Sequence, residues 1–287
     1  MINALVKLFL KDRLKDIETF SDKPIKTQSN ILHSLLHSAK DTQFGQKYGF
    51  ESINNSKVYK ERVPLHDYED LKPYIERIFK GEDNVIWPSP IRWFAKSSGT
   101  TSDKSKFIPV SYESLEDNHY KAGKDLMANY CNNHPETGLF KSGKGLIIGG
   151  SHEISQNNFE ISYGDLSAVL LQNLPMIARY FRTPSLETAL LDNWDRKLEQ
   201  MAKECLNENV TQISGVPSWT MVLINKLLEI SGKKDLSDIW PNLELYIHGG
   251  VSFAPYEDQY KSVIKGANMH YYETYNASEG FFSFQNN

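Results

Sequence analysis

The stretch ISGVPSWTMVLINKLLEISGKKDLSDIWPNLELYIHGG, residues 213–250, contains the alternation of elements from which the fold class is predicted. Its first four residues, Ile213–Val216, are predicted to end a strand and form a turn, and Ser218–Ile230 is a predicted helix. The apolar run Leu243–Ile247 is a second predicted strand, which leads into His248-Gly249-Gly250. A strand, a helix and a further strand in this order favour an α/β sheet.

The same alternation continues on both sides of this stretch. The further predicted elements are the helix Leu190–Asn207 and the strands Ile91–Ala95, Phe107–Val110, Gly145–Gly150 and Met269–Tyr275. We therefore predict an α/β fold with mainly parallel sheets flanked by helices. In such sheets ligands bind at the carboxyl ends of the strands, and the polar loops considered below follow predicted strands.

The first part of the chain, about residues 1–50, is predicted to be helical. Apolar residues follow one helical stripe from Leu5 to Ile17 and a second from Ile31 to Ala39. The first stripe favours a helix packed on its own domain, and a helix lying on a membrane surface is the alternative. Asp67 is a predicted N-cap for a further helix, Tyr68–Phe79.

The composition argues against a nucleic-acid-binding, secreted or membrane-spanning protein. The formal net charge of −4 gives no electrostatic reason to expect nucleic acid or an anionic membrane as partner, although it does not exclude a local basic patch. The two cysteines form neither a CxxC pair nor a Cys/His cluster, so we expect reduced thiols in a cytoplasmic protein. The N-terminus does not have the pattern of a signal peptide, and no apolar run approaches the roughly 20 residues that span a bilayer.

A loop rich in hydroxyl groups, Ser97-Ser98-Gly99-Thr100-Thr101-Ser102-Asp103-Lys104-Ser105-Lys106, separates two of the predicted strands. Hydroxyl groups and exposed backbone N–H groups can hold phosphate oxygens, while a lysine neutralises charge. The alternative is a solvated polar turn, because Ser/Thr-rich loops are common. The composition of this loop alone leaves both interpretations open.

Two later loops also follow predicted strands. In Tyr275-Asn276-Ala277-Ser278-Glu279, a carboxylate beside a hydroxyl group suits Mg²⁺, and an aromatic ring beside them suits stacking on a base. In His248-Gly249-Gly250-Val251-Ser252, paired glycines let a flat ligand approach the backbone. The alternatives are a solvated strand end and a tight turn. His-Gly-Gly also occurs in esterase oxyanion loops, but the chain lacks the Gly-x-Ser-x-Gly elbow of a serine hydrolase.

A further segment, Gly138–Lys144, matches the first seven positions of a nucleotide-binding P-loop. The eighth residue is Gly145, where Mg²⁺ coordination requires Ser or Thr, and the glycines precede a predicted strand instead of following one. We interpret this segment as an ordinary turn.

Taken together, the three loops resemble the motifs of the GH3 family of acyl acid–amido synthetases, a branch of the adenylate-forming enzymes. Ser97–Thr101 is similar to the family's ATP-phosphate motif, and Tyr275–Glu279 to its Tyr-x-x-Ser-Glu motif. The resemblance extends to Val216-Pro217-Ser218-Trp219 and Gly249–Phe253, and it covers nearly the whole chain. It implies that a carboxylic acid is activated with ATP as an acyl-adenylate and is then joined to an amine, usually an amino acid.

The resemblance also implies residue roles. Ser97, Ser98, Gly99, Thr100 and Thr101 would hold the phosphates of ATP, and Lys106 would stabilise their charge. Glu279 would coordinate Mg²⁺, and Ser278 would contact a phosphate or the acyl-adenylate. Tyr275 would stack on adenine above a floor formed by Gly250 and Val251. Val216 and Trp219 are candidates for the acid pocket, although core packing is the favoured interpretation for an aromatic residue on an apolar helix face.

Two features depart from the family pattern. Asp103 stands where many members have glycine, which places an acidic group near the phosphates. The sequence ends at Asn287, before the family's ribose-binding motif and mobile C-terminal domain. We therefore expect residues 1–287 to be an incomplete N-terminal ATP-binding domain, with little turnover without the C-terminal domain in cis. The alternatives are a non-catalytic nucleotide- or acid-binding fragment and an acyl-CoA-synthetase-like ligase.

Overall fold

The N-terminal part of the protein is helical. The computed structural model describes residues 2–97, 105–154, 160–266 and 268–286. The first helices are α1 (Ile2–Asp22), α2 (Pro24–Ala39), α3 (Gln43–Tyr48), α4 (Ser56–Arg62) and α5 (Tyr68–Phe79), with a 3₁₀ turn at Phe50–Ser52. Helices thus occupy most of residues 1–50, and α4 and the predicted helix α5 follow them.

A local sequence signal explains the start of α5, whose bounds are those predicted. Asp67 Oδ1 accepts a hydrogen bond from Asp70 N at 3.0 Å, and Asp70 Oδ2 accepts one from Asp67 N at 3.0 Å. This capping box satisfies two backbone donors that a helix start leaves without partners.

The apolar stripe predicted for α2 is only partly buried. Leu36 and Ala39 pack into a cluster with Phe44 and Phe50. The helix predicted from this stripe is confirmed, although Ile31 and Leu35 on the stripe are 54% and 50% exposed. The core is therefore reached by the last turn of α2 and, one turn earlier, by the partly buried Leu32.

The rest of the chain alternates strands and helices. The strands are β1 (Trp93–Ser97), β2 (Lys106–Val110), β3 (Lys144–Ile147), β4 (His152–Ile154), β5 (Ser162–Gly164), β6 (Arg182–Thr183), β7 (Val210–Gly215), β8 (Leu245–Gly249), β9 (His270–Ala277) and β10 (Gly280–Phe284). The helices are α6 (Tyr112–Ser114), α7 (Lys121–Asn133), α8 (Leu166–Gln172), α9 (Met176–Arg179), α10 (Leu186–Ala189), α11 (Trp194–Cys205), α12 (Pro217–Ser231) and α13 (Glu257–Val263). A π-helical segment, Leu115–Tyr120, joins α6 to α7, and a second 3₁₀ turn spans Leu236–Asp238.

The strands form two sheets. The smaller sheet has the order β2-β1-β5-β4, and only its β1–β5 pairing is parallel. The larger sheet has the order β10-β9-β8-β7-β3-β6, and all its pairings are parallel except the β9–β10 hairpin. The prediction of an α/β fold with sheets flanked by helices is confirmed.

One face of the larger sheet packs on α11 and α12 to form the main core. Leu146, Ile213 and Tyr246 point from the strands into this core, where Trp240 and Leu227 are also buried. On the N-terminal side, α1 packs against α7, with Leu10 buried beside Ala128 and Cys131. The first helix is therefore packed on its own domain, as predicted.

Several predicted bounds differ from the structure for identifiable reasons. The helix predicted at Leu190–Asn207 is α11, which begins at Trp194 because Asn193 caps it by accepting a hydrogen bond from Arg196 N at 2.9 Å. The strand predicted at Gly145–Gly150 ends at Ile147. The P-loop-like segment Gly138–Lys144 is a turn that leads into β3, as interpreted from the sequence.

Among the described residues, no helix is long and apolar enough to cross a membrane. Cys131 and Cys205 are both buried, and burial raises the pKa of the Cys205 thiol to about 12. Cys205 therefore behaves as a small apolar core residue.

Candidate functional site

An open cleft lies at the carboxyl edge of the larger sheet. Because β7, β8 and β9 are parallel, the segments that follow them meet at this edge. The cleft has a volume of about 740 Å³ and is lined by the loop Gly250–Ser252, by Glu273–Ala277 of β9 and by Ser283–Gln285 beside it. The structure thus brings together three predicted residues, Gly250, Val251 and Tyr275.

Glycine is required where the chain turns after β8. Gly250 has a φ of 83°, and a β-carbon placed on it would lie 3.3 Å from Cγ2 of Val216. A β-carbon on Gly249 would lie 2.3 Å from the carbonyl oxygen of Thr274. Thr274 Oγ1 also donates a hydrogen bond to the carbonyl oxygen of His248 at 3.1 Å. The backbone floor of the cleft is therefore tightly packed and flat.

The aromatic ring of Tyr275 stands at the cleft wall. Its side chain is 61% exposed, and its ring stacks on Phe282 with centroids 4.9 Å apart and planes 30° apart. An exposed ring that a second ring holds in place is suited to stacking on a planar ligand. The sequence indicated Tyr275 but not Phe282, which follows the motif.

Ser278 and Glu279 form the two-residue turn between β9 and β10. Ser278 is half-buried and Glu279 is exposed. Both adjoin the cleft through Ala277, although neither is among its lining residues. The sequence predicted a loop here, and the structure shows a tight hairpin turn that carries the motif's hydroxyl group and carboxylate.

The predicted phosphate loop connects β1 and β2 of the smaller sheet. Ser97 and Lys106 are register partners at the loop end of this hairpin. Ser98, Gly99, Thr100 and Thr101 lie outside the described residues, as does Asp103. Lys106 Nζ lies 5.4 Å from the ring centroid of Tyr68, in cation–π geometry.

The two candidate acid-pocket residues lie at the start of α12. Val216 is half-buried, is the N-cap of this helix and contacts the floor at Gly250. Trp219 is 50% exposed and meets Trp194 edge-to-face, with centroids 4.6 Å apart. The interpretation of Trp219 as a core residue is therefore wrong, because its position in the first turn of α12 leaves half its surface exposed.

A buried lysine shapes the loop after β3, at the same edge of the sheet. Lys197 Nζ donates hydrogen bonds to the carbonyl oxygens of Gly149 at 2.8 Å and Gly150 at 3.1 Å. Asp165 Oδ2 accepts a hydrogen bond from Ser151 N at 3.1 Å. Burial lowers the pKa of Lys197, while the nearby carboxylates of Asp165 and Asp192 raise it. This arrangement could not be predicted, since an isolated lysine on an amphipathic helix favours a solvated side chain.

His248, at the end of β8, is buried directly beneath the cleft floor. Its ring stacks on Phe253 with centroids 4.2 Å apart, and burial lowers its pKa to about 4. The neutral ring therefore acts as an apolar support for the loop that carries Gly250.

The π-helical segment links the two sheets. Leu115 packs in a cluster with Ala95 and Val110 of the smaller sheet. Asn118 and His119 bond to Phe281 and Asn276 of the β9–β10 hairpin. Sequence reasoning missed these two residues because their partners lie more than 150 positions away along the chain.

Within the described ranges, no group of three or more His, Cys, Asp or Glu side chains is arranged to hold a metal ion. A single exposed carboxylate, such as that of Glu279, is nevertheless the kind of ligand that Mg²⁺ takes from a protein when substrate phosphates complete its coordination. The exposed carboxylate of Glu279 is therefore compatible with an Mg²⁺ ion brought by a nucleotide.

A model of the GH3 family N-terminal domain matches residues 13–269. The chain belongs to the GH3 family. Among curated relatives of this GH3 chain, the indole-3-acetic acid-amido synthetase GH3.2 of Arabidopsis thaliana is 35% identical over 104 residues. The matched stretch is 36% of this chain and 19% of that protein.

Solved structures share the fold of this GH3 chain. The AtGH3.15 acyl acid amido synthetase in complex with 2,4-DB superposes with a TM-score of 0.75 at 19% identity, covering 95% of this chain and 56% of that one. A 2-hydroxyisobutyryl-CoA ligase in complex with 2-HIB-AMP and CoA gives a TM-score of 0.52 at 11% identity, covering 88% and 54%. This chain therefore spans about half the length of the solved structures that it matches.

Proposed function

We propose that this GH3 chain binds ATP in the cleft at the carboxyl ends of β8 and β9 and serves the ATP-dependent activation of a carboxylic acid. The observation that carries the proposal is the meeting of Gly250, Val251 and Tyr275 at one cleft in a chain of this family. An exposed ring beside a flat backbone floor suits the two faces of a purine base.

The remaining roles follow the motif positions. The phosphates extend from the cleft toward the loop Ser97–Thr101, where hydroxyl and backbone N–H groups bind them, with Lys106 contributing positive charge. Glu279 and the phosphates hold Mg²⁺, which when bound withdraws charge from the phosphate oxygens. Ser278, in the same turn, contacts a phosphate or the acyl-adenylate.

The reaction we propose has two steps. A carboxylate oxygen of the acid attacks the α-phosphorus of ATP, and the bond to pyrophosphate breaks. The nitrogen of an amine, such as an amino acid, then attacks the acyl carbon, loses a proton and displaces AMP. The acid is activated because AMP leaves the acyl carbon far more readily than the oxygen of a free carboxylate does. The protein accelerates both steps mainly by binding and orienting the reactants and by stabilising charge.

The acid binds beside Val216 and Trp219 in this proposal. Val216 adjoins the floor of the nucleotide cleft, and half of the Trp219 surface is free for an apolar ligand. The names of the relatives support an acid substrate, since they describe an amido synthetase of indole-3-acetic acid and a complex of an acyl acid amido synthetase with 2,4-DB. We also place the protein in the cytoplasm, where its two buried thiols stay reduced.

Acid-dependent exchange of labelled pyrophosphate into ATP tests the proposal. A panel of acids that includes indole-3-acetic acid and 2,4-DB is assayed with residues 1–287 alone and with a longer chain that adds a C-terminal domain. Exchange that depends on both an acid and Mg²⁺, followed by amide formation with an amino acid, is the expected result for the longer chain. A thioester formed with CoA indicates a CoA ligase instead, and ATP binding without exchange in either chain indicates a non-catalytic nucleotide-binding fragment.

A further inference from the structure

The π-helical segment Leu115–Tyr120 contacts both sheets. Its first residue belongs to the core of the smaller sheet, which carries Ser97 and Lys106 at its edge. Asn118 then clamps the hairpin of the larger sheet, because Phe281 N donates to Asn118 Oδ1 at 2.7 Å and Asn118 Nδ2 donates to the carbonyl oxygen of Phe281 at 3.4 Å. Single π-helical turns inside α-helices occur frequently at functional sites.

The next residue, His119, is almost completely buried, with 4% of its surface exposed. Its Nδ1 lies 3.0 Å from Oδ1 of Asn276. An amide oxygen can only accept a hydrogen bond, so Nδ1 carries the proton. Burial lowers the pKa of His119, so the ring is neutral and its Nε2 is unprotonated.

This bond fixes the orientation of the Asn276 side chain. Because Oδ1 of Asn276 is turned toward His119, the amide N–H₂ group is directed away from that ring. Asn276 is half-buried and lines the cleft, and within the described parts of the chain its amide nitrogen has no hydrogen-bond partner. A residue that lines the cleft thus carries a preoriented pair of N–H donors.

The strand geometry shows which part of a ligand these donors face. Successive side chains of β9 point to opposite faces of the sheet, so Asn276 points away from the face of Tyr275. Its face is the one contacted by the π-helical segment, which packs on the smaller sheet that carries Ser97 and Lys106. In the proposed ATP site, where Tyr275 stacks on the base and Lys106 faces the phosphates, the Asn276 amide is therefore on the phosphate side.

We infer that Asn276 binds a phosphate oxygen of the nucleotide through its amide N–H₂ and that His119 is the positioning residue that holds this amide in place. The inference rests on the proposed ATP site and adds to it a donor that the sequence motif leaves unspecified. His119 does not touch the ligand; it acts through the orientation of Asn276 and the stability of the turn that follows.

Three variants and two ligands test the inference. Asn276→Asp keeps the acceptor for His119 but replaces the donor group with a charged oxygen. His119→Phe keeps a ring but removes the Nδ1–H donor, whereas His119→Asn retains an N–H close to the Nδ1 position. Affinities for Mg·ATP and for adenosine are measured by calorimetry, and circular dichroism checks that each variant folds.

We expect Asn276→Asp and His119→Phe to lower the affinity for Mg·ATP about tenfold and His119→Asn to recover most of that loss, since one good hydrogen bond to a charged group has about this value. Adenosine affinity should change less than about twofold in every variant, because adenosine lacks the phosphate. Unchanged ATP affinity in Asn276→Asp, or equal losses for ATP and adenosine, would overturn the inference.

The hydrogen bond between His119 and Asn276 can be tested separately from ATP binding, by NMR. The nitrogen chemical shifts of the His119 ring report its tautomer in the protein without ligand, and we expect the Nδ1–H form. The Nε2–H form would refute the positioning role even if ATP binds. If the unsubstituted chain binds neither ATP nor adenosine, the proposed function fails, while the tautomer still decides whether His119 orients Asn276.

Discussion

Gly250 and Val216 pack the ends of two neighbouring parallel strands, β8 and β7, against each other, and a β-carbon on Gly250 would lie 3.3 Å from Cγ2 of Val216. With a φ of 83°, Gly250 also occupies the left-handed region that residues with a side chain rarely adopt. The floor of the cleft therefore depends on glycine for both its backbone conformation and its spacing.

Gly250→Ala should destabilise the protein and weaken nucleotide binding. The positive φ costs about 1 kcal/mol, and the contact with Val216 displaces the floor as well. Gly232→Ala is the matched control, because Gly232 has a φ of 68° and a β-carbon added to it would meet no atom within 4 Å. Urea unfolding should show losses in both variants, and calorimetry should show weaker binding of Mg·ATP in Gly250→Ala alone. Equal ATP affinity in the two variants would mean that Gly250 does not form the floor.

Lys197→Met should lower the free energy of unfolding by about 2 kcal/mol, because the carbonyl oxygens of Gly149 and Gly150 lose a charged donor. Lys203→Met is the control on the same helix, since Lys203 is exposed and pairs with Glu199. Exposed pairs of this kind contribute less than about 1 kcal/mol. Chemical denaturation measures both variants. A Lys197→Met protein as stable as the control would show that the loop after β3 holds its shape without the lysine.

Stability should fall as the solution is acidified, because His248 is buried as a neutral ring. Its pKa is about 4 in the folded protein and 6.5 is the ordinary value, so the unfolded state binds more protons between these limits. Each pH unit below about 6.5 therefore removes up to about 1.4 kcal/mol for this group, with no effect above that pH. His119 contributes in the same direction.

Urea unfolding across this pH window, compared with His248→Phe, checks the prediction. The variant should show a shallower dependence of the free energy of unfolding on pH, because it removes one titrating group. Replacing the exposed His33 with glutamine is the control and should leave the dependence as it is. If His248→Phe and the unsubstituted protein have the same slope, His248 does not titrate as its burial implies.

The parts of the fold that short-range signals determine could be predicted from the sequence. The start of α5 follows from the Asp67–Asp70 capping box. The prediction for α11 starts too early because apolar periodicity alone sets it, although an asparagine such as Asn193 before a periodic stretch is a recognisable cap. The α/β class follows from the alternation of elements, but the strand order within each sheet does not, since pairing depends on distant segments.

Some residues of the candidate site could likewise be predicted from short-range signals, and others could not. Gly250, Val251 and Tyr275 could be predicted because their motifs are continuous in sequence, and the structure places them at one cleft. His119 and Lys197 could not, because each acts on residues far away along the chain. Trp219 shows a further limit, since periodicity identifies the apolar face of α12 but not where that face reaches the surface.

The proposed nucleotide site requires that the two sequence motifs bind ATP. Calorimetric titration with Mg·ATP tests this on three proteins: the unsubstituted chain and its Thr100→Ala and Glu279→Ala variants. Glu61→Ala, an exposed glutamate on α4, is the control. We predict a single ATP site in the unsubstituted chain, affinity about tenfold or more weaker in the two motif variants, and no change in the control. Equal ATP affinity in all four proteins, or no ATP binding by the folded chain, would contradict the proposed nucleotide site.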